Sequence, residues 1–406
     1  MTVKKITILL LLITGLQLTA MAQTVQVPPV QNNYHVQVNT ILNRISCGDI
    51  NSFYSKLLTL KVVDSGKVNI VHIGDSHIQA DFLTGEVRQT LQQIFGNAGR
   101  GLVFPYQLAN SNAPDDIKGN SNTSWQFNRL AHAPNGVPCG IAGFGLQTSG
   151  VNATINISLK PGDNGPQLFN TLKFFIDEQP SVSWLLKAEG SNATDTITGN
   201  DGSLYQQATL QNSSSSFSLS LLSTDSTHNF YGVSLENGHH GILYHTIGVN
   251  GARYDQYNNT PLFWKQLPAL NADLYIISMG TNEAQANSMD ETQFINQVAL
   301  FLQQLKIASP HAAVLITTAA DSYRGRRSNI LLQQLNNTLF KYCASKHIAF
   351  WDLYRITNGY GAARNWFKKG LMSNDRIHYK PEGYRLQGQL LATAILNGYN
   401  NYSRNH

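Results

Sequence analysis

Two largely apolar runs, VNIVHIG at residues 68–74 and ADLYIISMG at residues 272–280, constrain this chain more than any other feature. A strand that is apolar on both faces has to be covered on both, the condition met by a parallel sheet between helices. Helical patterns alternate with such runs. Leu83, Val87, Leu91 and Ile94 recur at spacings of four, four and three and mark one helix face. Phe294, Val298, Phe301, Leu302 and Leu305 mark a second, and Ile330 to Tyr342 a third. AAVLITT and IAFWDL add strands, and a last helix follows Pro381, with Tyr384, Leu386, Leu390, Leu391 and Ile395 as its apolar residues. Strands alternating with helices predict βαβ units and a mostly parallel sheet.

Between these halves the texture changes. VNATINISL alternates Val151, Ala153, Ile155, Ile157 and Leu159 at period two. TLKFFID, FSLSLLS and YGVSLEN repeat the pattern, with Gly, Asn, Ser and Asp clusters between them. Short alternating strands with turn signals predict an antiparallel β-sandwich of jelly-roll type. The first parallel strand precedes this region and the others follow it, so the sandwich reads as an insertion into one α/β domain. The expected layout is residues 46–104 with 243–406 as the α/β domain, 105–242 as the inserted module, and 23–45 as an N-terminal tether.

The opening MTVKKITILLLLITGLQLTAMAQ has Lys4 and Lys5, an apolar run, and Ala20-Met21-Ala22 before Gln23. That order predicts a cleaved signal peptide over residues 1–22, and hence an exported periplasmic or secreted protein. The apolar run is too short for a preferred membrane span, and no Cys follows the cleavage site, so no stable membrane anchor is expected. Loss of the two lysines lowers the formal charge from +5 to +3, and no Lys/Arg block stands out, which argues against nucleic acid. Cys47, Cys139 and Cys343 are far apart and odd in number, fitting neither a disulfide framework nor a zinc pattern. One bridge and three buried thiols both remain open. His239, His240 and His245 also make a poor metal site, since adjacent strand residues face opposite ways. Neither metal nor cofactor is expected.

Four motifs sit where strands end, the place where sheets of this type gather their active sites. Ser76, in GDSHIQAD, follows the first strand; it reads either as a helix N-cap or as a hydroxyl raised above the sheet. Gly248 and Gly251, in HTIGVNGARY, read as a turn or as a loop presenting a backbone N–H to an oxyanion. Asn282, in MGTNEA, can aim its amide into the same cleft. Asp375 and His378, in SNDRIHYKPEGY, are spaced so that the carboxylate folds back onto one imidazole nitrogen while the other faces the serine. Arg253 and Tyr254 beside the glycine loop are substrate-contact candidates, with a salt bridge or packing as the alternative. Asp75 and His77 read as residues that shape the turn.

Together, in this order, the motifs resemble the SGNH hydrolases, also called GDSL-type esterases. The resemblance implies a flavodoxin-like α/β/α sandwich, Ser76 as nucleophile, His378 as base and Asp375 as its orienter. It also implies Ser76, Gly251 and Asn282 as oxyanion donors, Gly251 fitting the family spacing better than Gly248. His77 departs from the family's usual leucine. GDSHIQAD, GNAGRGLVF, IGVNGARY and NWFKKGLMSNDRIHY resemble the peptidoglycan O-acetylesterase branch, which carries a β-rich insertion at this point. That branch implies removal of acetyl groups from O-6 of muramic acid, with acetylated cell-wall glycan as partner. Acetyl transfer, esterase action on xylan-type polysaccharide, and an inert carbohydrate-binding protein stay open as alternatives. The last would use Trp125, Trp184 and Tyr205, for which burial in the core is the favoured reading.

Overall fold

A computed structural model describes residues 24–150, 152–162, 165–177, 183–190, 194–199, 202–222 and 227–406. The expected signal peptide and Val151 lie outside the described residues. The two apolar runs become strands β1 (Lys67–Gly74) and β3 (Leu274–Ser278). With β2 (Gly241–Gly248), β4 (Ala313–Thr317) and β5 (Ala349–Trp351) they form one fully parallel sheet in the order β2-β1-β3-β4-β5. This is the flavodoxin-like order, which turns back between β1 and β3 and opens a crevice at their carboxyl ends.

Both faces of the sheet are covered, as the apolar runs require. Val68 and Ile70 of β1 join a core with helices α1 (Asn51–Val63), α3 (Phe82–Phe95) and α6 (Pro381–Ser403). Val71 and Ile73 face the other way, into a core with α4 (Glu291–Ala308) and α5 (Ile330–Lys346). A short helix α2 (Ser76–Gln79) stands between β1 and α3. The segment from Val25 onward lies along α6: Val25 and Asn400 exchange a pair of hydrogen bonds, and Asn43 donates to the Leu390 carbonyl.

The middle of the chain folds into two antiparallel sheets. One contains Gln206–Ser214, Phe169–Ile176, His228–Glu236, Phe144–Thr148 and Gln126–Arg129. The other contains Ile117–Asn120, Thr154–Leu159, Ser216–Leu221, Ser183–Ala188 and Thr194–Thr198. Their inner faces meet, with the Phe174 and Phe217 rings 5.6 Å apart. Gly99–Val103, which directly follows α3, pairs with His228–Glu236 rather than with the parallel sheet. That strand and β2 leave no gap between the two halves, and one continuous core contains residues of both.

Trp125 and Trp184 are buried and stacked on each other at 6.3 Å, so they fill the core. Tyr205 is half-buried, with the Lys173 ammonium over its ring. The three cysteines are free thiols.

Candidate active site

β1 ends on Gly74 because no side chain fits there: a Cβ would lie 2.4 Å from the Ser278 carbonyl oxygen. The Asp75 carboxylate then caps α2, accepting the His77 amide hydrogen at 2.9 Å. Asp75 therefore fills the N-cap role that competed for Ser76. Ser76 is the first helical residue, and its hydroxyl is free to point elsewhere.

It points to His378. Ser76 Oγ lies 2.8 Å from His378 Nε2, and His378 Nδ1 lies 2.7 Å from Asp375 Oδ2. The other Asp375 oxygen accepts the amide hydrogens of Ile377 and His378 at 2.9 and 3.0 Å. Burial raises the Asp375 pKa, but the hydrogen bonds from His378 and Ile377 outweigh it and hold the carboxyl below its ordinary value. The loop is fixed at both ends. Ser373 donates to the His378 carbonyl and Lys380 to the Leu371 carbonyl. Arg376, at φ +56°, lays its guanidinium over the rings of Tyr323 and Phe367.

The glycine loop and Asn282 are joined to each other. Gly251 has φ +85° and only Ala131 Cβ, at 3.6 Å, near where its own Cβ would sit; conformation, not space, calls for glycine. At Gly248 space decides, since a Cβ would lie 2.4 Å from the Gln79 nitrogen. Asn282 Nδ2 donates to the Ala252 carbonyl at 2.9 Å, which uses one of its two amide hydrogens and ties it to the loop. A hydroxyl bonded to an imidazole that is itself bonded to a carboxylate can run nucleophilic acyl transfer.

Arg253 and Tyr254 fall on the alternative side. Arg253 forks onto Asp255 at 3.0 and 3.1 Å. The Tyr254 ring is buried edge-on against Phe294 and Phe301, which removes it from the substrate contacts expected of it. Among the described residues no group of three His, Cys, Asp or Glu side chains is placed to hold a metal. His245 is buried and accepts the Leu102 amide hydrogen, while His240 pairs with Asp64 at 3.0 Å.

Sequence reasoning missed the residues that hold these pieces together. Glu283 accepts the Tyr254 amide hydrogen at 2.9 Å, and burial raises its pKa to about 7. Asp75 is likewise raised to about 7 by burial. Below α2, Asp81 accepts from Arg88 and Arg100, each at 2.7 Å, and from Thr246 at 2.9 Å. Asp81 and Arg100 lie within two quoted motifs, GDSHIQAD and GNAGRGLVF, but nothing in either motif announces their pairing. His77 is stacked against His378, with ring centroids 5.3 Å apart, and its Nδ1 is 3.0 Å from the Tyr384 hydroxyl.

The GDSL-like lipase/acylhydrolase family matches this chain over residues 217–386. A search of curated protein sequences finds no match. Among solved structures, a peptidoglycan O-acetylesterase superposes with a TM-score of 0.73 at 22% identity, covering 88% of this chain and 99% of that one. A lipase/acylhydrolase from Enterococcus faecalis is 18% identical over 39% of this chain and 77% of its own, with a TM-score of 0.30. A family two carbohydrate esterase from Cellvibrio japonicus is 10% identical over 70% of this chain and 99% of its own, with a TM-score of 0.28. The first of these likenesses extends the shared fold through the antiparallel sheets, and the family match supplies the chemical class. Residues 217–386, which hold Asn282, Asp375 and His378, are thus similar to the GDSL-like lipase/acylhydrolase family, and the chain shares its fold with a peptidoglycan O-acetylesterase.

Proposed function

We propose that this chain is an exported serine esterase that removes O-acetyl groups from a cell-wall glycan, namely peptidoglycan acetylated at O-6 of muramic acid. The observation that carries the reading is the unbroken line Asp375–His378–Ser76, with hydrogen bonds of 2.7 and 2.8 Å. Asp375 holds the Nδ1–H tautomer, which leaves Nε2 to accept the Ser76 proton as the hydroxyl attacks the acetyl carbonyl. The Ser76 and Gly251 amides and the second Asn282 amide hydrogen receive the oxyanion. His378 then protonates the departing sugar hydroxyl, and water releases acetate from the acyl-serine.

The side chains of His378 and Asp375 are 39% and 45% exposed. Water therefore reaches the acyl-enzyme, which favours hydrolysis over transfer. The choice of glycan is supported by the likeness to the peptidoglycan O-acetylesterase, which spans the antiparallel sheets as well as the α/β body. Among the described residues no helix is long and apolar enough to cross a membrane, in keeping with a mature protein free in an extracytoplasmic compartment.

The test is acetate release from O-acetylated peptidoglycan, acetylated xylan and 4-nitrophenyl acetate by wild type, Ser76→Ala and His378→Ala. The expected result is the highest kcat/KM on peptidoglycan, and a loss of at least ~10³-fold in either variant with the fold intact. Wild-type rates in a folded variant overturn the residue roles; a preference for xylan overturns the substrate.

A further inference from the structure

Beside Asp75 and His77, the chain neighbours of Ser76, the structure leaves about 20 Å³ for water-sized occupants, walled also by Thr281 and Gln387. Asp75, Thr281 and Gln387 are at most 2% exposed. Each of the four carries a buried polar atom outside hydrogen-bond geometry with any protein group: Asp75 Oδ2, His77 Nε2, Thr281 Oγ1 and Gln387 Nε2. The Thr281 hydroxyl leans toward the Asp75 carboxyl. Buried polar atoms without partners cost about 1–3 kcal/mol each; even with the Thr281 hydroxyl engaging Asp75, the His77 and Gln387 nitrogens lack one, so this small space calls for an occupant.

Their hydrogen-bonding character identifies it. His77 Nδ1 is 3.0 Å from the Tyr384 hydroxyl; in the tautomer we assign, the hydroxyl donates to Nδ1 and the imidazole hydrogen lies on Nε2. With Asp75 ionised, the space then receives two N–H donors, from His77 and Gln387, and two oxygen acceptors, from Asp75 and Thr281. A water accepts two hydrogen bonds and donates two, and it needs at least ~10–15 Å³. A cation would meet the two N–H groups, and an anion the Asp75 oxygen.

We infer that this space is the site of one ordered water, and that the water fixes His77 as a positioning residue for His378. The inference rests on the reading of His378 as the general base. The two imidazole rings are 5.3 Å apart at an interplanar angle of 28°. His378 is otherwise half-exposed, so a rigid ring at its face limits how far it can swing from Ser76. Held at Nδ1 by Tyr384 and at Nε2 by the water, His77 cannot rotate without breaking two hydrogen bonds.

A crystal structure of the full chain at better than ~1.5 Å reads the site independently of activity. One water within about 3.2 Å of all four atoms is expected; a dry space or a bound ion overturns the inference. Kinetics on 4-nitrophenyl acetate read the consequence. Gln387→Met removes the amide donor at similar volume, and His77→Leu removes the stacked ring. In each, kcat is expected to fall about 10-fold with KM within about twofold. Unchanged kcat in both folded variants overturns the positioning role. If wild type cleaves no ester, the reading of His378 falls, and the crystal structure still decides the water.

Discussion

Gln79, three residues after Ser76, accepts the Asn250 amide hydrogen through Oε1 at 2.7 Å. Its Nε2 donates to Ser111 Oγ and the Asn112 carbonyl, both at 2.8 Å. One buried side chain thus couples the serine's helix to the glycine loop and to the segment before the antiparallel sheets. Gln79→Leu is expected to lower kcat about 10-fold by loosening Gly251. Its stability is expected to drop by about 1–3 kcal/mol, read from denaturant midpoints, because the Asn250 amide loses its partner.

The two glycines of HTIGVNGARY are expected to separate activity from stability. Gly251→Ala strains a residue at φ +85° and displaces the proposed oxyanion amide, so kcat is expected to fall about 10²–10³-fold. Gly248→Ala drives a methyl into the Gln79 backbone and is expected to act first on folding. Thermal unfolding beside steady-state kinetics checks the pair. Equal losses of Tm in the two would contradict the distinction.

Asp75 and Glu283 carry carboxyls raised to about 7 by burial. Above their unfolded values, near 4, the unfolded chain releases protons that the native state keeps. Their contribution to stability is therefore complete at acid pH below those values and lost as pH rises through about 7. Glu283→Gln keeps the oxygen that accepts from Tyr254 but cannot ionise. Between pH 6 and 8.5 its Tm is expected to decline less than that of wild type; parallel declines would count against the burial argument.

Arg100 bridges Asp81 and Asp116 at 2.7 and 2.6 Å, with its side chain only 2% exposed. Arg100→Met leaves both carboxylates short of a partner. A loss of about 3–5 kcal/mol is expected from chemical denaturation, since breaking a buried pair strands a charge. Activity per folded molecule is expected to change far less, because Arg100 touches none of the three residues assigned to the reaction.

Much of the α/β body was legible because periodicity and fold ask for the same thing. The face made by Leu83, Val87 and Leu91 is buried in α3, and Pro381 opens α6 as its φ allows. His228–Glu236 is buried at every position rather than alternately, being covered on both faces, so its period-two reading was incomplete. Gly99–Val103 carried no sign of which sheet it would join, since strand pairing depends on the partner and not on the strand's own residues.

By itself the sequence determined the local pieces: apolar runs that need cover on two faces, a glycine–acid–serine turn, and an Asp-x-x-His loop whose spacing lets a carboxylate fold onto its own imidazole. These are short-range consequences of backbone geometry and side-chain reach. The tertiary structure alone decided that residues 302 positions apart meet at 2.8 Å. It also decided that Asp75 takes the helix cap and leaves Ser76 free, that Tyr254 goes to the core, and that Asp75, His77, Thr281 and Gln387 line one small space. Those outcomes depend on which surfaces are covered when the elements pack, and no local pattern encodes that.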